Sequence, residues 1–130
     1  MGRLKATEKT RDTYTIYMNI TIDGTPLLSR KFGIGYYSEN IIQALSETDY
    51  TNVYKILYQV MRSSKRELPC PPSSRFEPCV RRLPLKVTDY FFNTKNFSAD
   101  FYCGSPDVFH GLSMFLPRLK RAKTIWTVHD

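Results

Sequence analysis

The stretch "MNITIDGTPLLSRKFGIGYYSENIIQAL" (residues 18–45) decides the fold, because its hydrophobic pattern changes period within one unit. It opens with "MNITID" (residues 18–23), a short β-branched run closed by Gly24, which predicts a strand. A glycine-containing loop follows, and from Tyr36 the apolar residues recur at helical spacing. The next run, "NVYKILYQV" (residues 52–60), again has the composition of a strand. The order strand, glycine loop, helix, strand predicts a βαβ unit.

The predicted helix has one apolar face, formed by Tyr37, Ile41, Ala44 and Leu45. Glu39 is expected in its first turn, where the positive end of the helix dipole favours an acidic side chain.

Further elements follow towards the end of the sequence. Residues 62–78 hold four prolines ("RSSKRELPCPPSSRFEP") and predict an exposed loop. Short strands are predicted in "CVRRLPL" (79–85), "PDVFHGL" (106–112) and "TIWTV" (124–128). The alternation predicts an α/β fold: a Rossmann-like, mostly parallel sheet with flanking helices.

A second helix is the expectation for "KVTDYFFNTKNFSADFYCG" (residues 86–104). Its aromatic side chains would point inward and Gly104 would end it. These inward residues are Tyr90, Phe91, Phe97 and Phe101.

Length and composition point to one folded domain. The chain has 130 residues, of which 42% are hydrophobic and 14% aromatic. Residues 1–17 are interpreted as a mobile N-terminal extension or an upstream translation start, ahead of the domain at 18–130. The cysteines Cys70, Cys79 and Cys103 are odd in number and lack metal-ligand spacing, so we expect no metal and reduced thiols. Without a run of ~20 apolar residues or a signal-peptide pattern, a cytoplasmic location is expected.

Four polar residues are predicted along one edge of the sheet. In open parallel sheets, ligands bind at the carboxyl ends of the strands. The rule places Asp23, His110, His129 and Asp130 there. For His110 a structural, hydrogen-bonded role is favoured over a catalytic one. His129 is the stronger catalytic candidate, whereas Asp130 belongs either to this edge or to the start of a further helix.

The glycine loop offers a second kind of chemistry. Gly33 and Gly35 allow the backbone to approach an anion, and the helix directs free N–H groups and its dipole to the same place. A phosphate would suit such a site. Glycines required only for a tight turn explain the loop equally well, because "GIG" matches no complete nucleotide-binding fingerprint.

A basic cluster precedes the last predicted strand, and the chain as a whole carries a net charge of +7. Such a cluster is usually solvated surface. The alternative is contact with an anionic membrane, assisted by Phe115 and Leu116. Nucleic acid is disfavoured as a partner, because no recognition module accompanies the charge. The cluster consists of Arg118, Lys120, Arg121 and Lys123.

Two stretches resemble the retaining glycosyltransferases of family 4. "MNITIDGTPLLSRKFGIGYYSENIIQAL" is similar to the opening of their amino-terminal domain, with its Gly-Ile-Gly-[Arg/Tyr]-Tyr loop. "PDVFHGLSMFLPRLKRAKTIWTVHD" is similar to a later stretch, which has an Asp-Val-x-His strand, a Leu-Pro connector and a strand ending in Thr-[Val/Ile]-His-Asp. The resemblance covers residues 18–130, with little match between 62 and 95.

The resemblance implies the amino-terminal, acceptor-side half of a GT-B enzyme. It implies transfer of a hexose, by analogy a mannose-type sugar, from a nucleotide-sugar to a saccharide or lipid-linked acceptor. Anomeric configuration would be retained, and no cofactor is implied. Gly33, Ile34 and Gly35 would lie against the donor phosphates, and His129 by the transferred sugar. Tyr36 stands where many members have Arg, which removes a positive charge there.

The family's donor-binding half, with its Glu-x7-Glu motif, has no counterpart in these residues. We therefore expect a fragment that is inactive alone, with "TIWTV" as an exposed hydrophobic edge. The alternative function is a non-catalytic, basic module that binds anions or a membrane surface. A complete small Rossmann-type enzyme is disfavoured, since no full cofactor fingerprint is present.

Overall fold

The computed structural model describes residues 6–10, 13–28, 32–60, 67–82, 86–87, 98–114 and 116–130. One long helix and two sheets account for the regular structure of these ranges. Their elements are β1 (Ala6–Thr10), β2 (Thr13–Ile16), β3 (Asn19–Asp23), a 3₁₀ turn (Thr25–Leu28), α1 (Gly33–Thr48), β4 (Val53–Gln59), β5 (Phe76–Arg81), β6 (Val108–Gly111) and β7 (Lys123–Trp126).

The main sheet has five parallel strands in the order β5-β4-β3-β6-β7. The chain enters at the central strand β3, crosses through α1 to β4 and continues outward to β5. It then returns to the other side of β3 to form β6 and β7. This is a Rossmann-like α/β arrangement, as the sequence predicted, and its strand order reverses between β3 and β6.

The described residues before 17 form a separate two-stranded antiparallel sheet. β1 pairs with β2, with Lys9 opposite Tyr14. Neither strand joins the five-stranded sheet. The mobility expected of residues 1–17 stays a prediction.

Helix α1 covers one face of the main sheet, but it begins earlier than predicted. Gly33 and Gly35 lie in its first turn rather than in a loop, and the predicted first-turn residue Glu39 falls in the second turn. Of the predicted apolar face, Ile41 and Leu45 pack against the core, whereas Tyr37 and Ala44 are exposed. The buried residues of the helix are Gly35, Ser38 and Ile42, so only half of the predicted face is confirmed.

Alternate residues of the strands build two cores on opposite faces of the sheet. The core beneath α1 contains Ile22, Ile42, Tyr54, Ile56, Tyr58, Val60, Phe76 and Leu112. In it the rings of Tyr54 and Phe76 stack with centroids 4.6 Å apart. The core on the other face contains Leu57, Cys79, Ala99, Tyr102, Cys103 and Phe109. Both faces of the sheet are thus covered, as a parallel sheet requires.

The segment covering the second face is not the predicted helix. Residues 98–104 form turns, and Phe101 is 83% exposed, so the predicted inward position of its ring is wrong. Tyr90, Phe91 and Phe97 lie outside the described residues. The turns are held by buried Asp100, whose carboxylate accepts the backbone N–H groups of Lys120, Arg121 and Ala122 at 2.9, 3.2 and 3.0 Å.

The two edge strands differ from each other in character. β5 contains Pro78, which had been assigned to a loop; an edge strand tolerates the missing N–H of proline. β7 lies at the opposite edge with all four residues exposed, including Ile125 and Trp126. The predicted exposed hydrophobic edge is therefore confirmed.

Candidate functional site

The candidate site lies at the edge of the sheet where β3 and β6 end side by side. Asp23 is the last residue of β3 and Gly111 the last of β6, and the strand order reverses between these two strands. Sheets of this class bind ligands at such a reversal, beyond the carboxyl ends of the strands. The topology therefore selects this edge as the candidate site.

Asp23 is fully buried at this edge. Its carboxylate accepts hydrogen bonds from the Thr25 N–H at 3.1 Å and the Ser113 hydroxyl at 2.5 Å. Burial raises the pKa of Asp23 above its ordinary value, although both bonds oppose the shift. Protonation is thus easier here than at an exposed carboxylate.

The loop after β6 joins Asp23 to the segment after β7. While the Ser113 hydroxyl donates to Asp23, the Ser113 carbonyl accepts the indole N–H of Trp126 at 2.9 Å. The preceding carbonyl, of Leu112, lies 3.1 Å from Nε2 of His129. Sequence reasoning missed Leu112, the last residue of a predicted strand, and Ser113, which follows it, although the same edge rule would have included both.

His129 is half-buried and is held from two sides. A carbonyl can only accept, so Nε2 carries the hydrogen that is donated to Leu112. In the neutral ring, Nδ1 then has the free lone pair. The second contact is with Tyr37 of α1, whose ring centroid lies 5.3 Å from that of His129 at an interplanar angle of 79°.

The start of α1 leaves backbone N–H groups available. The first intrahelical bond runs from the Tyr36 N–H to the Phe32 carbonyl at 3.1 Å, and Phe32, the N-cap residue, makes no side-chain capping hydrogen bond. A Cβ on Gly33 would meet nothing within 4 Å, whereas one on Gly35 would lie 3.4 Å from the Pro26 carbonyl. Gly33 therefore faces open space, and Gly35 allows the helix to pack closely.

Tyr37 connects the helix start with His129. It follows Gly33 by four residues, so the two share one side of the helix, and its side chain leans back toward the first turn. The structure thus links three predicted site elements, Asp23, the glycine turn and His129, through Ser113, Leu112 and Tyr37.

The other two predicted residues are placed differently. His110 is half-buried within β6, and its Nε2 lies 2.9 Å from the Thr127 hydroxyl. Burial lowers the pKa of His110, which favours the neutral ring and fits the structural role preferred from the sequence. Asp130 is exposed, and within the described ranges its carboxylate makes no hydrogen bond or ion pair.

The basic cluster lies on the surface rather than in this site. Arg118, Lys120, Arg121 and Lys123 are all exposed, on the segment that Asp100 holds. Met114 and Leu116 nearby in sequence are 88% and 44% exposed. Phe115 lies outside the described residues. In the part of the chain that the structure describes, no helix has the length and apolar character needed to cross a membrane.

Comparisons of this chain with protein-family models, curated proteins and solved structures give no match. The arguments about function below accordingly rest on the sequence motifs and on the geometry of the site.

Proposed function

We propose that this chain is the acceptor-side domain of a retaining glycosyltransferase similar to family 4. In this proposal the first turn of α1 binds the diphosphate of a nucleotide-sugar, and His129 lies beside the hexose that is transferred. The observation that carries the proposal is the contact of His129 with Tyr37, because it joins a strand-end histidine to the side of the helix on which Gly33 lies.

The phosphate role rests on backbone chemistry. The N–H groups of Gly33, Ile34 and Gly35 precede the first intrahelical bond of α1 and coincide with the positive end of its dipole. A diphosphate gains negative charge as it leaves the sugar, and prepositioned donors stabilise that charge. Tyr36 adds no positive charge, so the backbone supplies this stabilisation from the present chain.

The reaction exchanges one bond of the sugar for another. The bond from the anomeric carbon to the diphosphate oxygen breaks, a bond to an acceptor hydroxyl oxygen forms on the same face, and the acceptor proton passes to the departing diphosphate. The sugar in such a site presents hydroxyl groups, and the Nδ1 lone pair of His129 is placed to accept one. Asp23 and Ser113 act indirectly, because they fix the loop whose Leu112 carbonyl orients His129.

The resemblance implies that a second domain holds most of the nucleotide. Isothermal titration of this chain with UDP, GDP and their hexose derivatives tests the proposal. We expect weak binding that requires the diphosphate, weaker binding of nucleoside monophosphates, and no release of hexose by the chain alone. Equal affinity for monophosphates and diphosphates, or no binding of any of them, would contradict the phosphate role.

The second candidate is a non-catalytic module on an anionic membrane, placed peripherally at the cytoplasmic face. The exposed cluster at 118–123 beside exposed Met114 and Leu116 favours it. Co-sedimentation with phosphatidylserine vesicles would detect such binding. Replacing Arg118, Lys120 and Arg121 by Gln should abolish it, while the same replacement at Arg75, Arg82 and Lys86 should not. Equal loss in both triple variants would indicate attraction by net charge alone.

A further inference from the structure

A cavity lies on the face of the sheet opposite α1. Its volume is about 340 Å³, within the range of small-molecule sites. Two of its side chains, Lys55 and Arg81, extend from β4 and β5 to the turns at 98–105, which cover this face. The lining residues are Asn19, Lys55, Arg81, Phe101, Gly104 and Ser105.

We propose that this cavity binds a small phosphate monoester that carries a planar ring. The phosphate would lie between Lys55 and Arg81, and the ring against Phe101. The site is separate from the edge formed by Asp23 and His129, and it does not depend on the glycosyltransferase proposal.

Lys55 supplies the first positive charge. Its Nζ lies 3.4 Å from the Gly104 carbonyl and 3.7 Å from Oε1 of Glu77, whose side chain is 62% exposed. Both distances are long, so the ammonium is incompletely bonded. An exposed ion pair such as that of Lys55 with Glu77 contributes little to stability, so a phosphate oxygen can replace the Glu77 carboxylate.

Arg81 supplies the second charge in a fixed orientation. Its Nε–H donates to the Tyr102 carbonyl at 2.7 Å, and its guanidinium carbon lies 5.8 Å from the centre of the Tyr102 ring. Among the residues that the structure describes, the terminal nitrogens make only long contacts, of 3.4 Å, to the carbonyls of Val80 and Phe101. The guanidinium is therefore held in place while N–H donors remain for a phosphate, the anion whose geometry it matches.

The turn at Gly104 packs closely against the side chain of Lys55. Gly104 has a φ of 83°, and a Cβ there would lie 2.9 Å from Cδ of Lys55. Ser105 follows in the left-handed region with a φ of 51°, uncommon for a residue with a side chain. This turn brings the Gly104 carbonyl to the ammonium, and Ser105 also lines the cavity.

Phe101 is the reason for proposing a ligand with a planar ring. Its side chain is 83% exposed although it lines the cavity, and its own carbonyl contacts Arg81. An exposed aromatic residue that lines a cavity with two cations suits a flat apolar group joined to an anion. The lining residues include two cations, Lys55 and Arg81, and no acidic residue, while the Asp107 carboxylate nearby accepts the Asn19 N–H at 2.8 Å.

The test is a titration of the full chain with phenyl phosphate, followed by amide NMR shifts and isothermal titration. We expect shifts at Asn19, Gly104 and Ser105. Lys55→Met, which keeps the stem that packs on Gly104, should weaken binding about tenfold, and Lys55→Arg should largely restore it. Phe101→Ala should weaken binding of phenyl phosphate and leave the affinity for inorganic phosphate unchanged.

Lys86→Met is the matched control, since it removes one exposed charge outside the cavity and outside the basic cluster. It should leave binding unchanged, and Glu77→Gln should strengthen binding by removing the competitor of the ligand. The proposal is overturned if Lys86→Met weakens binding as much as Lys55→Met does. It is also overturned if the shifts map to the start of α1 or to residues 118–123 instead of the cavity.

Discussion

The rings of Tyr37 and His129 meet in a T-shaped arrangement, with centroids 5.3 Å apart and an interplanar angle of 79°. Tyr37 belongs to the second turn of α1, and His129 lies beyond the end of β7, at the far edge of the sheet. This contact brings the helix that follows the central strand to the segment that follows the edge strand. The start of α1 and a histidine ring thereby share one edge of the sheet.

The hydrogen bond of His129 makes a prediction about its tautomer. In the neutral ring, the hydrogen should reside on Nε2, because that atom lies 3.1 Å from the Leu112 carbonyl. Long-range ¹H–¹⁵N correlation of the imidazole nitrogens distinguishes the two tautomers. His110 is the internal comparison, since its Nε2 partner, the Thr127 hydroxyl, can either donate or accept. A neutral His129 that carries its hydrogen on Nδ1 would contradict the described orientation.

Gly24 and Gly33 lie at opposite ends of the connection between β3 and α1, and their replacement by alanine should affect the free energy of unfolding differently. A Cβ on Gly24 would lie 2.4 Å from Cγ2 of Ile56 and 2.9 Å from Cε1 of Tyr58, so Gly24→Ala should cost about 1–3 kcal/mol of unfolding free energy. Gly33→Ala enters open space in a helical first turn and should be neutral or slightly stabilising, within about 1 kcal/mol. Urea unfolding measures both, and equal losses would refute the distinction.

The buried carboxylate of Asp23 should make stability depend on pH. Burial raises its pKa above 3.8, so the folded state holds the proton more tightly than the unfolded chain does. Folding stability therefore falls as pH rises above 3.8 and through the raised pKa of Asp23. Asp23→Asn removes the titrating group and with it this loss of stability. The amide oxygen of Asn can still accept from the Thr25 N–H, and the Ser113 hydroxyl can rotate to suit the amide.

We expect Asp23→Asn to gain stability relative to the wild type as pH rises from about 4 to about 7. Urea unfolding at a series of pH values measures the difference. Asp130→Asn, at an exposed carboxylate, is the control and should show no such trend. An Asp23→Asn variant whose stability difference from the wild type does not change with pH would contradict the raised pKa.

The exposed strand β7 should promote self-association. Ile125 and Trp126 are 53% and 44% exposed on β7, which is an edge strand of the sheet formed by the described residues. Ile125→Lys should shift the chain toward monomer in sedimentation velocity at high concentration. Met114→Lys, at a residue that is 88% exposed outside β7, is the matched control and should have little effect. A wild type that stays monomeric at high concentration would contradict the role of this edge.

The sequence predicted the parts of the fold that local patterns specify. The strand ending at Asp23, the helix after it and the strand at Val53–Gln59 each have a clear period or β-branched composition. Their order also predicted the parallel pairing. From that pairing the edge containing Asp23 and His129 followed without knowledge of side-chain contacts.

Other features depended on tertiary context. Low helix propensity suggested that Gly33 and Gly35 belong to a loop, but close packing of Gly35 on Pro26 favours a helical turn. Pro78 suggested a loop because nothing in the sequence says that its strand lies at the edge of the sheet. The aromatic pattern suggested that Phe101 is a core residue, but its side chain is exposed. The segment is held in turns by the hydrogen bonds of Asp100 to residues 120–122, which the sequence does not indicate.

The central claim is that the start of α1, beside His129, binds the diphosphate of a nucleotide-sugar. The most direct measurement is an amide NMR titration of the chain with UDP, in the wild type and in Gly33→Pro. Gly33 is the first residue of α1, and Phe32 before it is extended, with φ −100° and ψ −177°. Proline therefore fits this position and removes one N–H donor without disturbing the helix.

Gly33→Ala keeps that donor and is the matched control. The account predicts shifts at Ile34, Gly35 and His129 on addition of UDP, about tenfold weaker binding in Gly33→Pro, and unchanged binding in Gly33→Ala. Shifts confined to residues 118–123, or equal affinities in Gly33→Pro and the wild type, would contradict it.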